Sequence, residues 1–289
     1  MRAPSLKNGW TIAALTVFLL LPSALPGLEI QMRLSSGLWR MNLSEVNAAL
    51  AGWHEGLKRL ADVDPNLDIV GGKPRNLHLG IDFEAELILS FSRWIKLGLS
   101  AGYGHGFLDE EATLLTMNQA GVLYERARPT KVSAYPFLVS GYFNIPLGRK
   151  FNAYLRAGVG AIQARYIARE AQKMDAERRY TYTSYDYAKS RRPTYLGGLG
   201  FSYSFDETLG FFFEAALRSA RVNGFAGENL NIKNGILYSF EESLPQAGFW
   251  RPSMHVRYEA PQGDSVRNVR EAEVDFSGYS IKIGLILKF

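Results

Sequence analysis

The chain of 289 residues carries 33 Lys and Arg against 28 Asp and Glu, contains no Cys, and is 47% hydrophobic and 13% aromatic. This length fits one large β-domain or two small ones, and the formal charge of +5, which drops to +3 without Arg2 and Lys7, is too small to point to nucleic acid. With no Cys there is no disulfide framework, no lipoprotein attachment site and no thiolate metal site.

Arg2 and Lys7 flank the start of an apolar core, Thr11–Leu21, which is followed by Pro22–Gly27. The core is too short to span a bilayer as a helix, so residues 1–27 read as a secretory signal peptide cleaved between about Pro22 and Gly27. One mature domain is expected over 28–289. Leu28–Trp39 alternates loosely and is expected to be its first strand. The period then changes, with Val46, Leu50, Trp53 and Leu57 recurring at helical spacing between an N-cap region at Ser44 and a stop at Asp64-Pro65. This amphipathic helix falls in the first long connection, where its stripe either packs on the rim of the domain or meets a partner.

Asn76–Phe91 alternates cleanly. Leu77, Leu79, Ile81, Phe83, Ala85, Leu87 and Leu89 share one face, and Asp82, Glu84 and Glu86 share the other. A short turn at Ser92-Arg93 leads to Ile95–Tyr103, apolar at odd positions, with Lys96 and Gly98 among the even ones. Tyr135–Leu147 and Phe151–Ala161 repeat the pattern around Gly148-Arg149-Lys150, and Tyr195–Phe205 and Leu209–Ser219 repeat it around Asp206-Glu207-Thr208. Phe107–Lys131, Arg165–Arg192 and Asn223–Glu273 break the alternation and are expected to be long loops. Within the last, Gly235–Glu241 and Ser253–Glu259 have weak strand character, either as a projecting hairpin or as a fifth spanning one.

The final stretch, Val274–Phe289, sets Tyr279, Ile281, Ile283, Leu285, Leu287 and Phe289 against Gly278, Ser280, Lys282, Gly284 and Lys288. A tilted strand crosses a bilayer in about 9–11 residues, and carboxylates cannot face lipid, so the greasy face would meet hydrocarbon and the even positions a polar interior. Lys282-x-Gly284-x-x-Leu287-x-Phe289 resembles the C-terminal β-signal of bacterial outer-membrane proteins. From about Leu28 the chain is similar to the small barrels of the OmpA transmembrane, OmpX and OmpW type. That resemblance implies recognition of Lys282, Gly284, Leu287 and Phe289 by the barrel-assembly machinery. It also implies location in the outer membrane, in contact with its lipid and lipopolysaccharide, and a monomer.

The expected fold is therefore all-β: an eight-stranded antiparallel up-and-down transmembrane β-barrel with long extracellular loops and an amphipathic helix in the first. Eight strands leave a lumen barely wider than its own side chains. Arg33, Asp82, Glu84, Glu86, Lys96, Arg156, Glu214, Arg218 and Lys282 would face one another there as an interior charge network, with Glu214 and Lys282 as a pair on neighbouring strands. In the third long segment Arg178, Arg179, Arg191 and Arg192 could meet lipopolysaccharide phosphates, or be solvated and internally paired. His54, His78, His105 and His255 lack the spacing of a metal site, and no catalytic or cofactor motif is present. The leading functional expectation is a non-enzymatic surface protein whose loops bind an unknown ligand or partner. The alternatives are a narrow channel for small or apolar solutes and an outer-leaflet lipid-modifying enzyme using His105 at the rim.

Overall fold

A computed structural model describes residues 29–73, 75–174 and 180–289. The expected signal peptide lies outside these residues. The first strands are β1 (Glu29–Met41), β2 (Leu67–Gly71), β3 (Leu79–Ser90), β4 (Ile95–Leu108), β5 (Leu115–Gln119) and β6 (Val122–Ala127). The longest follow, β7 (Thr130–Pro146), β8 (Phe151–Met174) and β9 (Thr181–Ser204), then β10 (Leu209–Ser219), β11 (Arg221–Val222) and β12 (Ala226–Asn229). The chain closes with β13 (Gly235–Leu244), β14 (Phe249–Arg257), β15 (Val266–Glu271), β16 (Val274–Asp275) and β17 (Gly278–Lys288). Among the described residues one α-helix, α1 (Ser44–Val63), interrupts them.

This overturns the expectation of an eight-stranded up-and-down barrel. Among the described residues there are seventeen strands, and fifteen of them belong to one antiparallel sheet ordered β14-β13-β12-β9-β10-β17-β1-β3-β4-β7-β8-β6-β5-β2, with β15 attached to β13. Part of that sheet closes on itself, because β8 pairs with β9 as well as with β7, linking β1, β3, β4, β7, β8, β9, β10 and β17 in a hydrogen-bonded ring. The segments expected as loops carry the remaining strands. β8 and β9 stay paired far past the apolar stretch, with Arg165 opposite Lys189 and Arg169 opposite Tyr185. There β8 buries Ile162, Ala164, Tyr166 and Ala168 on its inward side and carries Gln163, Arg165 and Arg169 outside, so the apolar face switches from outside to inside while the ladder continues. β5 and β6 turn tightly through Ala120 at φ 50° and Gly121 at φ 87°, where the Asn118 side chain accepts the Gly121 N–H at 2.9 Å. β13 and β14 pair from Ile236–Arg257 to Leu244–Phe249 and join the main sheet through β12.

The helix forms where the spacing put it, but its N-cap is Leu43, without a side-chain cap from Ser44. Glu45 in the first turn instead accepts the Arg270 guanidinium at 2.7 Å and the Glu273 N–H at 2.9 Å, tying the helix start to the chain around β15. Val46, Leu50, Trp53 and Leu57 are buried, and Gly52 and Gly56 let the helix lie directly against Pro252 and Arg251 of β14. Val46 and Leu50 join a large core that includes Trp39, Met41, Leu77, Tyr166, Phe225, Met254 and Phe276, while Trp53 and Leu57 pack with Leu115 and Met117 of β5 in a separate cluster. The large core fills the helix-bearing end of the ring. At the opposite, short-turn end, Ile88, Tyr142, Tyr154, Phe212 and Ile286 form another, smaller cluster.

Candidate functional site

Between those two apolar layers lies a layer of charge. Arg33, Arg156, Arg218 and Lys282 face Asp82, Glu84, Glu86 and Glu214, four of each sign, and every one is at most 6% exposed. All project from the inward parity of β1, β3, β8, β10 and β17, since one residue in two on a strand faces each side. The Arg156 guanidinium is the hub, 2.6 Å from Glu84, 3.2 Å from Glu86 and 3.0 Å from Glu214. Lys282 lies 3.0 Å from Asp82 and 2.7 Å from Glu84, and Arg218 lies 3.5 Å from Asp82. The expected Glu214–Lys282 pair is not made. The two sit opposite each other in the ladder, yet each reaches across the interior to a carboxylate or guanidinium on a farther strand. Backbone adjacency loses to the cross-ring contact because the interior is narrow enough for long side chains to span it.

Several members of this layer carry no formal charge and were not singled out in the sequence. Tyr142 Oη donates to Glu86 at 2.5 Å and Tyr154 Oη to Glu214 at 3.1 Å, while Arg156 donates to Ser140 Oγ at 3.1 Å. Their inward parity was visible; their reach was not. Arg33 has no ion pair among the described residues. Its guanidinium instead sits 4.5 Å from the Tyr154 ring centre, 4.9 Å from that of Phe212 and 5.0 Å from that of Tyr142. Arg218 likewise lies 4.4 Å from the Trp39 ring centre. Inward glycines make the room. A side chain at Gly98 would collide with Glu86, and one at Gly200 with Tyr154. Lys96 stands apart, near the short turns, donating to Gln31 at 3.4 Å. Opposite charges this close are the condition under which ions survive without water, although Nε and Nη1 of both Arg33 and Arg218 find no hydrogen-bond partner among the described residues.

The outer face of the ring is the reverse. Ile81, Phe83, Leu97, Leu99, Phe137, Val139, Leu155, Leu199, Phe213, Leu217, Ile281 and Ile283 are all more than one-third exposed. An aromatic collar borders this band on each side. Trp94, Phe143, Phe151, Tyr203, Phe205 and Phe211 lie towards the short turns, and Tyr103, Tyr135, Tyr195 and Tyr279 towards the helix-bearing end. His105 belongs to the second collar, its ring stacked between Tyr103 at 5.1 Å and Phe107 at 6.0 Å. Beyond Tyr135 and Tyr195, Lys131, Arg165, Lys189 and Arg191 occupy neighbouring outward positions on β7, β8 and β9, and none forms an ion pair among the described residues. Arg165 covers the Tyr135 ring at 4.8 Å. Of the four arginines proposed for phosphate contact, Arg191 is in this group. Arg192 instead donates to Asn223 Oδ1 at 2.6 Å, and Arg178 and Arg179 lie outside the described residues.

Of the terminal motif, Lys282 is buried in the ion layer, Gly284 packs under Phe212, and Phe289 is exposed with its N–H on the Ile30 carbonyl at 3.0 Å. No protein-family model matches the chain, and no curated protein matches it in sequence. Among the described residues no helix is long and apolar enough to cross a membrane, which leaves crossing by strands untouched.

Proposed function

We propose that this protein resides in the bacterial outer membrane. In this reading the apolar band of the strand ring sits in hydrocarbon, and the helix and outer strands are presented at the cell surface as a non-catalytic, non-conducting binding platform. The observation that carries this reading is the opposition of the two faces of the ring. More than twenty large apolar side chains stand half exposed outside while paired ions are sealed inside. At roughly 100 Å² each, these side chains offer on the order of 2,000 Å² of apolar surface, far above the few hundred that a water-soluble monomer shows. The step along β9 from Tyr203 to Tyr195 is about 26 Å of strand, or about 20 Å of height at a tilt near 40°, matching a thin outer membrane.

The ion layer bears on the channel alternative. Three cations, Arg156, Arg218 and Lys282, paired to four carboxylates, with Arg33 stacked among Tyr142, Tyr154 and Phe212 below and Trp39 above, leave a solute nothing to pass through without breaking buried contacts. His105, stacked in an aromatic collar, has no described hydrogen bond to a hydroxyl or carboxylate that would make it a base. Lys131, Arg165, Lys189 and Arg191 lie at the height where phosphates of outer-leaflet lipid would sit. A groove of about 410 Å³ beside Gly197, Ala215 and Tyr279 could seat an acyl chain beneath them. Because Lys282 ends up buried, recognition of the terminal motif by the barrel-assembly machinery would precede closure of the ring.

Purified protein added to planar bilayers tests the reading. Stable insertion without single-channel steps is expected, and reproducible conductance steps from wild-type protein would refute the closed interior. Replacing Lys131, Lys189 and Arg191 by Glu should weaken association with vesicles containing lipopolysaccharide while leaving association with uncharged phospholipid unchanged.

A further inference from the structure

A pocket of about 130 Å³ opens between the far end of β9, the segment after β12, and β14. Its lining includes Ser184, Tyr185, Asp186, Asn231, His255 and Arg257. It lies well beyond the aromatic collars, so its chemistry can be judged independently of where the ring resides. Sequence reasoning passed over it because its residues come from three segments some 25 to 45 positions apart, each without a motif of its own.

The pocket wall is built from a break in strand pairing. β14 pairs with β13 on one edge, and on its other edge Val256 has no ladder partner. Asp186 supplies the acceptor, taking the Val256 N–H at 2.9 Å on Oδ1, and Asn229 supplies the donor, giving its Nδ2–H to the Val256 carbonyl at 2.9 Å. Asn229 Oδ1 then accepts the N–H groups of Asn231 and Ile232, each at 2.9 Å, which fixes the turn that forms the rim. The second oxygen of Asp186 lies 2.8 Å from His255 Nδ1. A carboxylate only accepts, so Nδ1 carries the hydrogen, and Nε2 can donate to an occupant only when the ring is protonated.

Both oxygens of the one carboxylate in the lining are therefore taken, and what remains is rich in donors. The Arg257 guanidinium is exposed and makes no ion pair among the described residues. Ser184 shares the face of β9 that carries Asp186, and Tyr185 and Asn231 also line the pocket. An unpaired guanidinium in a pocket lined by Ser184, Tyr185 and Asn231 recognises an oxyanion such as phosphate or sulfate. The space equals about four water volumes, enough for one such group and too little for an extended ligand.

We infer that this pocket binds a phosphate or sulfate group, free or as the terminal ester of a larger surface ligand. Arg257 is the charge partner, Ser184 and Asn231 are orienting donors, and Asp186 positions His255. The pocket deepens the proposed binding role by naming a ligand class, and it does not need the membrane assignment to hold.

Calorimetric titration of the full chain in neutral detergent tests it, with inorganic phosphate, inorganic sulfate, a hexose 6-phosphate and the parent hexose as probes. Saturable binding of phosphate or sulfate is expected. Arg257→Gln should weaken it by about tenfold or more, Ser184→Ala should weaken it less, and Lys58→Gln, a charge-matched change on an exposed face of the helix, should leave it unchanged. Tighter binding of the hexose phosphate than of inorganic phosphate would assign the pocket to an ester; equal binding would assign it to the free ion. The inference is overturned if neither anion binds at about 10 mM, if the hexose binds as well as its phosphate, or if Arg257→Gln binds like wild type.

Discussion

Arg156 is the residue on which the sealed interior depends most. Its side chain is 2% exposed and serves Glu84, Glu86 and Glu214 at once. Arg156→Met keeps most of the stem and removes the charge, so three cations are left facing four carboxylates. Removing one partner of a buried pair costs about 3–5 kcal/mol, because the carboxylate left behind is neither hydrated nor paired. The loss is not three times that, since Lys282 still reaches Glu84, and Tyr142 and Tyr154 still donate to Glu86 and Glu214. A destabilisation of about 4 kcal/mol is expected for the single variant. Adding Glu84→Gln restores the balance of charge, so the double variant should be more stable than additivity allows by about 1–3 kcal/mol. Urea unfolding in detergent micelles, followed by tryptophan fluorescence with Trp39 packed against Arg218, measures all four corners of the cycle. A single-variant loss below about 1 kcal/mol, or strict additivity, would refute the reasoning.

Two further outcomes are expected outside the apolar band. Burial pushes the Glu170 carboxyl up, but the Arg126 guanidinium and the Trp53 indole N–H outweigh it and hold the group below its ordinary value of 4.5. A lowered value in the folded state means that the contribution is complete above about pH 4.5 and is lost as the pH falls through the folded value. Glu170→Gln should therefore flatten the acid limb of the stability profile, and an unchanged limb would count against this pairing. Gly52→Leu should drive the helix off the Pro252 backbone, costing about 1–3 kcal/mol and exposing Trp53 to a water-soluble quencher. Wild-type quenching and midpoint would show that the contact does not hold the helix.

The period-two alternation located β3, β4, β10 and β17 to within a few residues, because each has one greasy and one polar face. It also put Arg33, Asp82, Glu84, Glu86, Arg156, Glu214, Arg218 and Lys282 on the inward parity. It could not say which would meet, since parity fixes a face and not a reach across it, and the Glu214–Lys282 pair was misjudged for that reason. The strand count was illegible. β5, β6 and β12 are four to six residues long, the outer half of β8 turns its apolar residues, Ile162, Ala164, Tyr166 and Ala168, inward instead of outward, and β14 packs on a helix from a distant part of the sequence. The His255–Asp186 contact joins residues 69 apart in sequence and leaves no local trace.

Because the chain has no Cys, single cysteines can be introduced one at a time at Ile81, Phe213 and Ile283 on the outer band, with Ser140 as an inward comparison. Each variant, reconstituted in liposomes and labelled with a small fluorophore while unfolded, reports its surroundings through quenching by nitroxide-bearing lipid. Strong quenching at the three outward sites, none at Ser140, and no reaction of the outward thiols with a charged maleimide in the folded state is the expected result. Outward thiols that react freely with the charged reagent and are untouched by the lipid quencher would contradict placement of this face in hydrocarbon.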